Sequence, residues 1–205
     1  MKKLILSVLT CCTLTVYAQK IDFSMSGGTG KSYIFESADR SVNVHYTLPA
    51  SLITEIKFTP KEKAWGVKLR FHHLQSDVTG ENWMNKTPLD GNIQSLTTSL
   101  LLEKEITKRK FSYGYNFGLG ITKETVQPQR LNIYNRTVSN YASLSAGGHL
   151  SYKMCRNFDL QILPVLLWQN PCETIRVLTG KSKPNFALED LSAVVNFGIR
   201  YRLTH

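Results

Sequence analysis

Residues 96–121 read LTTSLLLEKEITKRKFSYGYNFGLGI. Leu96, Thr98, Leu100 and Leu102 share one parity ahead of a basic stretch, Thr107-Lys-Arg-Lys110. Phe111, Tyr113, Tyr115, Phe117, Leu119 and Ile121 share one parity after it. Side chains of a strand alternate between two faces, so this pattern is a hairpin of two strands, each apolar on one face. The other face carries Glu103, Glu105, Gly114, Gly118 and Gly120. One face is thus fatty and the other charged or small.

The same period of two recurs along the chain. Ile21, Phe23 and Met25 begin it, and even positions from Val42 to Phe58 continue it. Trp65 to Phe71, Ala142 to Met154, Phe158 to Ile162 and Leu191 to Leu203 complete a set of eight strands. Connections differ in length by side. Pro60–Lys63, Thr107–Lys110 and Cys155–Asn157 are short and mostly basic. Segments 77–93, 125–138 and 169–188 are longer and polar, and Glu36–Ser41 lies on their side. Short turns at one end and long loops at the other define an all-β fold: an eight-stranded antiparallel up-and-down transmembrane β-barrel, with turns in the periplasm and loops outside.

Tight turns at these points predict cross-strand neighbours. Phe58 falls beside Trp65, Leu52 beside Phe71 and Glu55 beside Lys68. Leu102 falls beside Tyr115, Glu103 beside Gly114 and Glu105 beside Ser112. At the third turn Leu150 meets Ile162 and Lys153 meets Asp159. Across Glu36–Ser41, Ile21 meets Ile56, Met25 meets Leu52 and Gly28 meets Pro49. Pro164 lacks a ladder donor and predicts a bulge.

Periodicity alone permits either face to be the inside. Aromatic residues near the strand ends favour an apolar outside, because they match interfacial girdles. Phe58, Trp65, Phe111, Tyr113, Tyr152, Phe158 and Tyr201 lie near the short turns, and Tyr33, Tyr46, Phe71, Tyr141 and Trp168 near the long loops. The inward face then holds Glu55, Lys68, Arg70, Glu103, Glu105, Lys153, Asp159, Arg200 and Arg202, with His72 and Asn196. An eight-stranded barrel is just wide enough for side chains to fill. These residues are expected to form a salt-bridged plug; the alternative is a narrow, gated ion path.

The chain begins MKKLILSVLTCCTLTVYAQK. A basic pair, an apolar run and the small-x-small Val16-Tyr17-Ala18 predict a cleaved secretory signal over residues 1–19, leaving a barrel domain over 20–205. Thr10 precedes Cys11, which does not fit a lipidation site, so removal with the signal is expected. Losing Lys2 and Lys3 takes the net charge from +10 to +8. An exported basic chain meets anionic membrane sooner than nucleic acid. Cys155 and Cys172 fall at opposite ends of one strand, ~30 Å apart, too far for a disulfide.

The final strand, AVVNFGIRYRL, carries Phe197-x-Ile199-x-Tyr201-x-Leu203. This resembles the C-terminal β-signal of outer-membrane barrels. With eight strands and a leader, the chain resembles small barrels of the OmpA-domain and OmpX class. The resemblance implies an integral outer-membrane protein of a Gram-negative cell.

Other motifs weigh less. Gly27-Gly-Thr-Gly-Lys-Ser32 ends like a phosphate-binding loop, but Met25 stands where its first glycine belongs and strand patterns flank it. It reads as the upper part of the first strand, with Gly28 and Gly30 inward. His72 and His73 point to opposite faces and cannot pair on a metal. His149-Leu-Ser151 has the spacing of a lipid A deacylase pair, yet parity turns it inward, with no acidic partner evident on the same face. No catalytic residue, cofactor or metal is expected. The loops, with Trp83-Met84 and Lys181-Ser-Lys183, are the expected surface for an extracellular protein or glycan. Lys31 and Lys183 are candidates for the phosphates of outer-leaflet lipid such as lipopolysaccharide. Asn85 and Asn135 match a glycosylation pattern that is set aside as chance.

Overall fold

A computed structural model describes residues 18–34, 42–60, 63–82, 87–88, 90–128, 136–169 and 191–204. Its strands are β1 (Ala18–Lys31), β2 (Val42–Tyr46), β3 (Ala50–Pro60), β4 (Trp65–Asn82), β5 (Thr87–Pro88), β6 (Gly91–Lys108), β7 (Phe111–Pro128), β8 (Thr137–Lys153), β9 (Phe158–Gln169) and β10 (Leu191–Thr204). Eight of them form the wall. Each pairs antiparallel with the next, in the order β1, β3, β4, β6, β7, β8, β9, β10. Pairing of β1 with β10, from Lys20↔Thr204 to Lys31↔Ala193, closes the eight-stranded wall on itself. The short β2 and β5 only extend the wall beside the upper half of β4.

The two faces are inverted relative to a soluble barrel. Leu100, Leu119, Ile121 and Phe197 are exposed, while Arg70, Glu103, Asp159 and Asn196 are completely buried. Burial alternates residue by residue along β3 and β9. An apolar exterior around a polar interior is the arrangement of a transmembrane barrel. Closure satisfies the wall's backbone ladder without water, as a bilayer requires.

Registers differ from the sequence expectation at three of four hairpins, each time by two positions. Phe58 pairs with Val67 and Glu55 with Arg70, not with Trp65 and Lys68. Thr59 and Pro60 pair with β1 instead of β4, which widens the turn. Gly66 packs on the strand end there: a Cβ at that site would lie 2.8 Å from the Phe58 carbonyl oxygen. The next turn is tighter than expected. Lys108 pairs with Phe111, so Leu102 faces Phe117 and Glu103 faces Asn116. Arg109 makes this two-residue turn by adopting φ 55°, the left-handed region such loops demand. Between β1 and β3, Ile21 faces Phe58 and Met25 faces Thr54. The third turn keeps the expected pairs, Leu150↔Ile162 and Lys153↔Asp159.

Two further corrections concern proline. The even-numbered run from Val42 to Phe58 is not one strand. It breaks at Thr47-Leu-Pro49, and the register against β4 slips by one across the break, from Tyr46↔Val78 to Ala50↔Gln75. A slip of one reverses faces, so Tyr46 falls on the lumenal side of the wall. Pro164, by contrast, makes no bulge. Its ladder with β8 is interrupted between Gly147↔Val165 and Leu150↔Ile162, yet the register is the same on both sides. Gly147 and Gly148 leave room beside it, since a Cβ on Gly147 would sit 2.7 Å from the Pro164 carbonyl oxygen.

Cys155 is a free, exposed thiol. Residues 1–17, Cys172, Lys183, Trp83, Asn85, Asn135 and most of the long-loop segments lie outside the described residues. The register is testable. In a chain otherwise cleared of cysteine, Leu102→Cys with Phe117→Cys should oxidise to an intramolecular disulfide, because opposed strand residues meet the distance requirement. Leu102→Cys with Tyr115→Cys should not, and efficient crosslinking of that pair, read by gel mobility, would overturn the observed register.

Candidate functional site in the barrel lumen

Alternation brings charges from β3, β4, β6, β9 and β10 into one lumen. Lys68 ion-pairs with Glu55 at 3.0 Å and also with Glu103. Arg70 Nε donates to Glu55 Oε1 at 2.7 Å. Lys57 reaches Glu103 at 2.8 Å and also contacts Glu105. Arg200 continues the chain to Glu105 at 3.2 Å and to Asp159 at 2.7 Å. Arg202 joins at Asp159, 2.5 Å away. Neutral groups complete it. Arg70 donates to Ser145 and Asn116, Arg200 to Ser112, and Ser24 to Glu55. All eight wall strands therefore contribute a partner.

The charges balance. The lumenal cations are Lys57, Lys68, Arg70, Arg200 and Arg202, and the carboxylates are Glu55, Glu103, Glu105, Asp159 and Asp22. Asp22 is buried and lies between Lys57 and Arg202 in the β-ladders on its two sides. Among the described residues, five of each sign leave no net charge in this layer of the lumen. Ionised groups withdrawn from water are tolerated when paired and hydrogen-bonded, as here.

Most of the expected residues meet in this network: Glu55, Lys68, Arg70, Glu103, Glu105, Asp159, Arg200 and Arg202. Lys153 does not. It faces Asp159 in the ladder, but its side chain is exposed and makes no ion pair among the described residues. It stands at the short-turn rim of the barrel, exposed, while Asp159 is held by two arginines. Lys57 and Asp22 are inward beyond the expected set, and each shares parity with an inward neighbour. His72 is buried against Ser51, and His73 occupies the opposite face.

Above the ions, toward the long-loop end, the lumen mixes buried polar side chains such as Ser95, Thr97, Thr122 and Ser143 with one apolar cluster. Ile53, Leu74, Leu163, Val165 and Val194 pack together there, all buried. Higher still, Tyr33 closes the mouth. It follows β1 with φ 48°, and its hydroxyl donates to Glu124 Oε2 at 2.6 Å. Glu124 belongs to β7, four wall strands away in either direction. Tyr141 donates to the same oxygen at 2.5 Å, and Tyr46 stacks on Tyr33 at 4.6 Å. Burial and the Glu124 carboxylate push the Tyr33 phenol well above its ordinary pKa, which keeps it a donor. Tyr33 and Tyr141 thus turn into the mouth with Tyr46, not out into an upper girdle; Phe71 and Trp168 remain on the outer face.

The lower aromatic residues do face outward. Trp65 meets Tyr115 edge-on at 5.9 Å, Phe111 packs on Tyr152 at 5.1 Å and Phe158 on Tyr201 at 4.9 Å. Phe58 and Tyr113 lie on the same outer face.

His149 has an acidic neighbour after all. Glu103 lies 3.6 Å from its Nδ1, reached across β7. Both His149 and Ser151 are buried in the lumen, however, away from lipid. Glu103, Glu105 and His149 bring one potential metal-ligand atom each within 4.8 Å of one another. The two carboxylates already hold Lys57 and Lys68, so a metal ion would have to displace ammonium groups. Gly27 to Lys31 form the upper part of β1, extended and paired with β10, which removes the phosphate-loop reading.

No protein-family model matches this chain, and no curated protein sequence matches it. Solved structures do. The outer-membrane protein OprG of Pseudomonas aeruginosa superposes with a TM-score of 0.61 at 12% identity, covering 92% of this chain and 98% of OprG. A major outer-membrane protein of Thermus thermophilus gives 0.54 at 14% identity, covering 89% and 99%. The Yersinia pestis attachment invasion locus protein Ail, solved with the heparin analogue sucrose octasulfate, gives 0.52 at 14%, covering 90% and 98%. The fold is that of small eight-stranded outer-membrane barrels.

Removing one member of the network strands its partners. Glu103→Ala leaves Lys57 and Lys68 short of a counter-charge and should destabilise the barrel by about 3–5 kcal/mol, measured by urea unfolding in detergent. Lys153→Ala should leave the unfolding midpoint unchanged. A Glu103→Ala barrel as stable as the parent would show that the network contributes no stability.

Proposed function

We propose that the protein is an integral outer-membrane barrel that acts as a non-enzymatic scaffold, holding its long loops outside the cell over a closed lumen. One observation carries this reading: a continuous ion-pair chain that joins opposite walls of the barrel. Permeation needs a path whose binding sites an ion can both enter and leave. Here the ion-pair chain holds its charges on fixed partners, an apolar cluster packs above it, and Tyr33 reaches across the mouth to Glu124. The remaining surface for function is the loop end, including segments 77–93, 125–138 and 169–188.

Residues 1–19 would be removed on export, and 20–205 would insert. The partners of such a scaffold are outer-membrane lipid, including lipopolysaccharide, and an extracellular protein or glycan gripped by the loops. The structure of Ail in complex with the heparin analogue sucrose octasulfate supports this last class, since it shows a barrel of this fold with such a ligand. The non-enzymatic reading rests on His149 and Ser151 being buried in the lumen, out of reach of acyl chains.

Folded wild-type protein in planar bilayers should give no unitary conductance steps; reproducible steps would replace the scaffold reading with the pore. His149→Ala should leave the lipid A mass profile of expressing cells unchanged, and a changed acyl pattern would establish an enzyme.

A further inference from the structure

The protein's positive charge is not spread evenly. At the short-turn end, Lys20, Lys63, Lys108, Arg109, Lys110, Lys153 and Arg156 are all exposed. Among the described residues, no carboxylate is exposed at this end: Asp22 and Asp159 are buried and Glu105 is held in the network. Lys61 and Glu62, adjacent in the sequence, add one charge of each sign. The long-loop end is different, with Lys31, Lys123 and Arg136 set against Asp77, Asp90 and Glu124.

These cations form a ring, not a patch. Lys20 stands at the β1–β10 seam, Lys63 in the β3–β4 turn, Lys108 to Lys110 at the β6–β7 turn, and Lys153 and Arg156 at the β8–β9 turn. The outward aromatic pairs Phe111–Tyr152 and Phe158–Tyr201 lie directly beside the last two turns. Lys104 shows the depth at which cations sit. It projects from the lipid-facing wall with its ammonium 5.8 Å from the Trp65 ring centre, its stem along apolar surface and its charge at aromatic level.

We propose that this rim binds the phosphates of anionic phospholipid in the leaflet on the short-turn side. The inference rests on the membrane reading above. Amphipathic aromatics settle at the headgroup boundary, and the cations lie just beyond them, at the depth of lipid phosphate. That layering favours a lipid surface over a soluble polyanion, which would need the cations but not the aromatic belt beneath them. Lipid contact by charge is thereby assigned to the turn end, in addition to any contact of Lys31 at the loop end.

The test reconstitutes the full barrel in phosphatidylcholine vesicles containing spin-labelled phosphatidylglycerol or spin-labelled phosphatidylcholine. The motionally restricted lipid at the protein surface is then compared. Phosphatidylglycerol should be selected by about threefold at low salt, with selection fading as the screening length falls from ~30 Å at 0.01 M to ~3 Å at 1 M. Lys108→Gln, Lys110→Gln, Lys153→Gln and Arg156→Gln together should abolish the preference. Lys31→Gln with Lys123→Gln should preserve it. Equal retention of both lipids by the wild type, or an unchanged preference in the fourfold variant, would overturn the proposal. So would capture of purified peptidoglycan fragments by the detergent-folded barrel without lipid preference. A heat-dependent gel shift, run on every sample, reports insertion separately, so failure of the membrane reading is distinguishable from failure of the rim.

Discussion

Charge neutrality inside a water-poor lumen is the constraint on which the rest of the structure depends. A carboxylate such as Glu103, fully buried, persists only because Lys57 and Lys68 meet it there. Those lysines come from β3 and β4 and the carboxylate from β6, so neutrality is achieved only when the wall has curled far enough to bring them together. Arg200 and Glu105 make the same demand of β10 and β6, which lie on opposite sides of the barrel. Pairing thus favours the closed barrel over an open sheet. Bilayer burial adds to it, because an open edge in hydrocarbon would carry unsatisfied backbone groups. Replacing such a network with apolar side chains is often no worse for stability. Its distinctive property is directional: it fixes which strand ends face each other across the lumen.

The alternation of faces was legible in the sequence because a period of two survives almost any hairpin error that shifts strands by two. Glu55 was expected opposite Lys68 and lies opposite Arg70, but both partners are inward and cationic. The long side chains make the difference harmless, since Lys68 still reaches Glu55 diagonally. Register itself was hidden in the turns. No residue type announced that Arg109 would take a left-handed conformation, where glycine or asparagine is the usual signal. The β8–β9 turn keeps the register that its sequence predicts.

Three features do not follow from the alternation, each for a different reason. Val165 and Leu167 within ILPVLLW gave a continuous apolar run, ambiguous by period, and the inner half of it lines the apolar cluster. Lys57 shares parity with Glu55 and is inward for that reason, but the apolar alternation of β3 marks neither charge as paired. Tyr46 turned inward through a one-residue slip at Thr47–Pro49, which only tertiary pairing reveals. Tyr33 then meets it, and the mouth closes on Glu124 through contacts that no local pattern encodes.

The central claim is that lipid surrounds this wall and packed side chains fill it. Nitroxide labels placed singly at Ser99, Leu100, Leu101 and Leu102 of the reconstituted barrel test both halves together, because Ser99 and Leu101 are buried in the lumen while Leu100 and Leu102 face outward. Leu100 and Leu102 labels should be relaxed strongly by oxygen, which partitions into lipid, and hardly by a water-soluble nickel chelate. Ser99 and Leu101 labels should be shielded from both. Strong relaxation of the Ser99 and Leu101 labels by the chelate would mean an open aqueous lumen, and relaxation of the Leu100 and Leu102 labels by it would mean that the wall does not face a membrane.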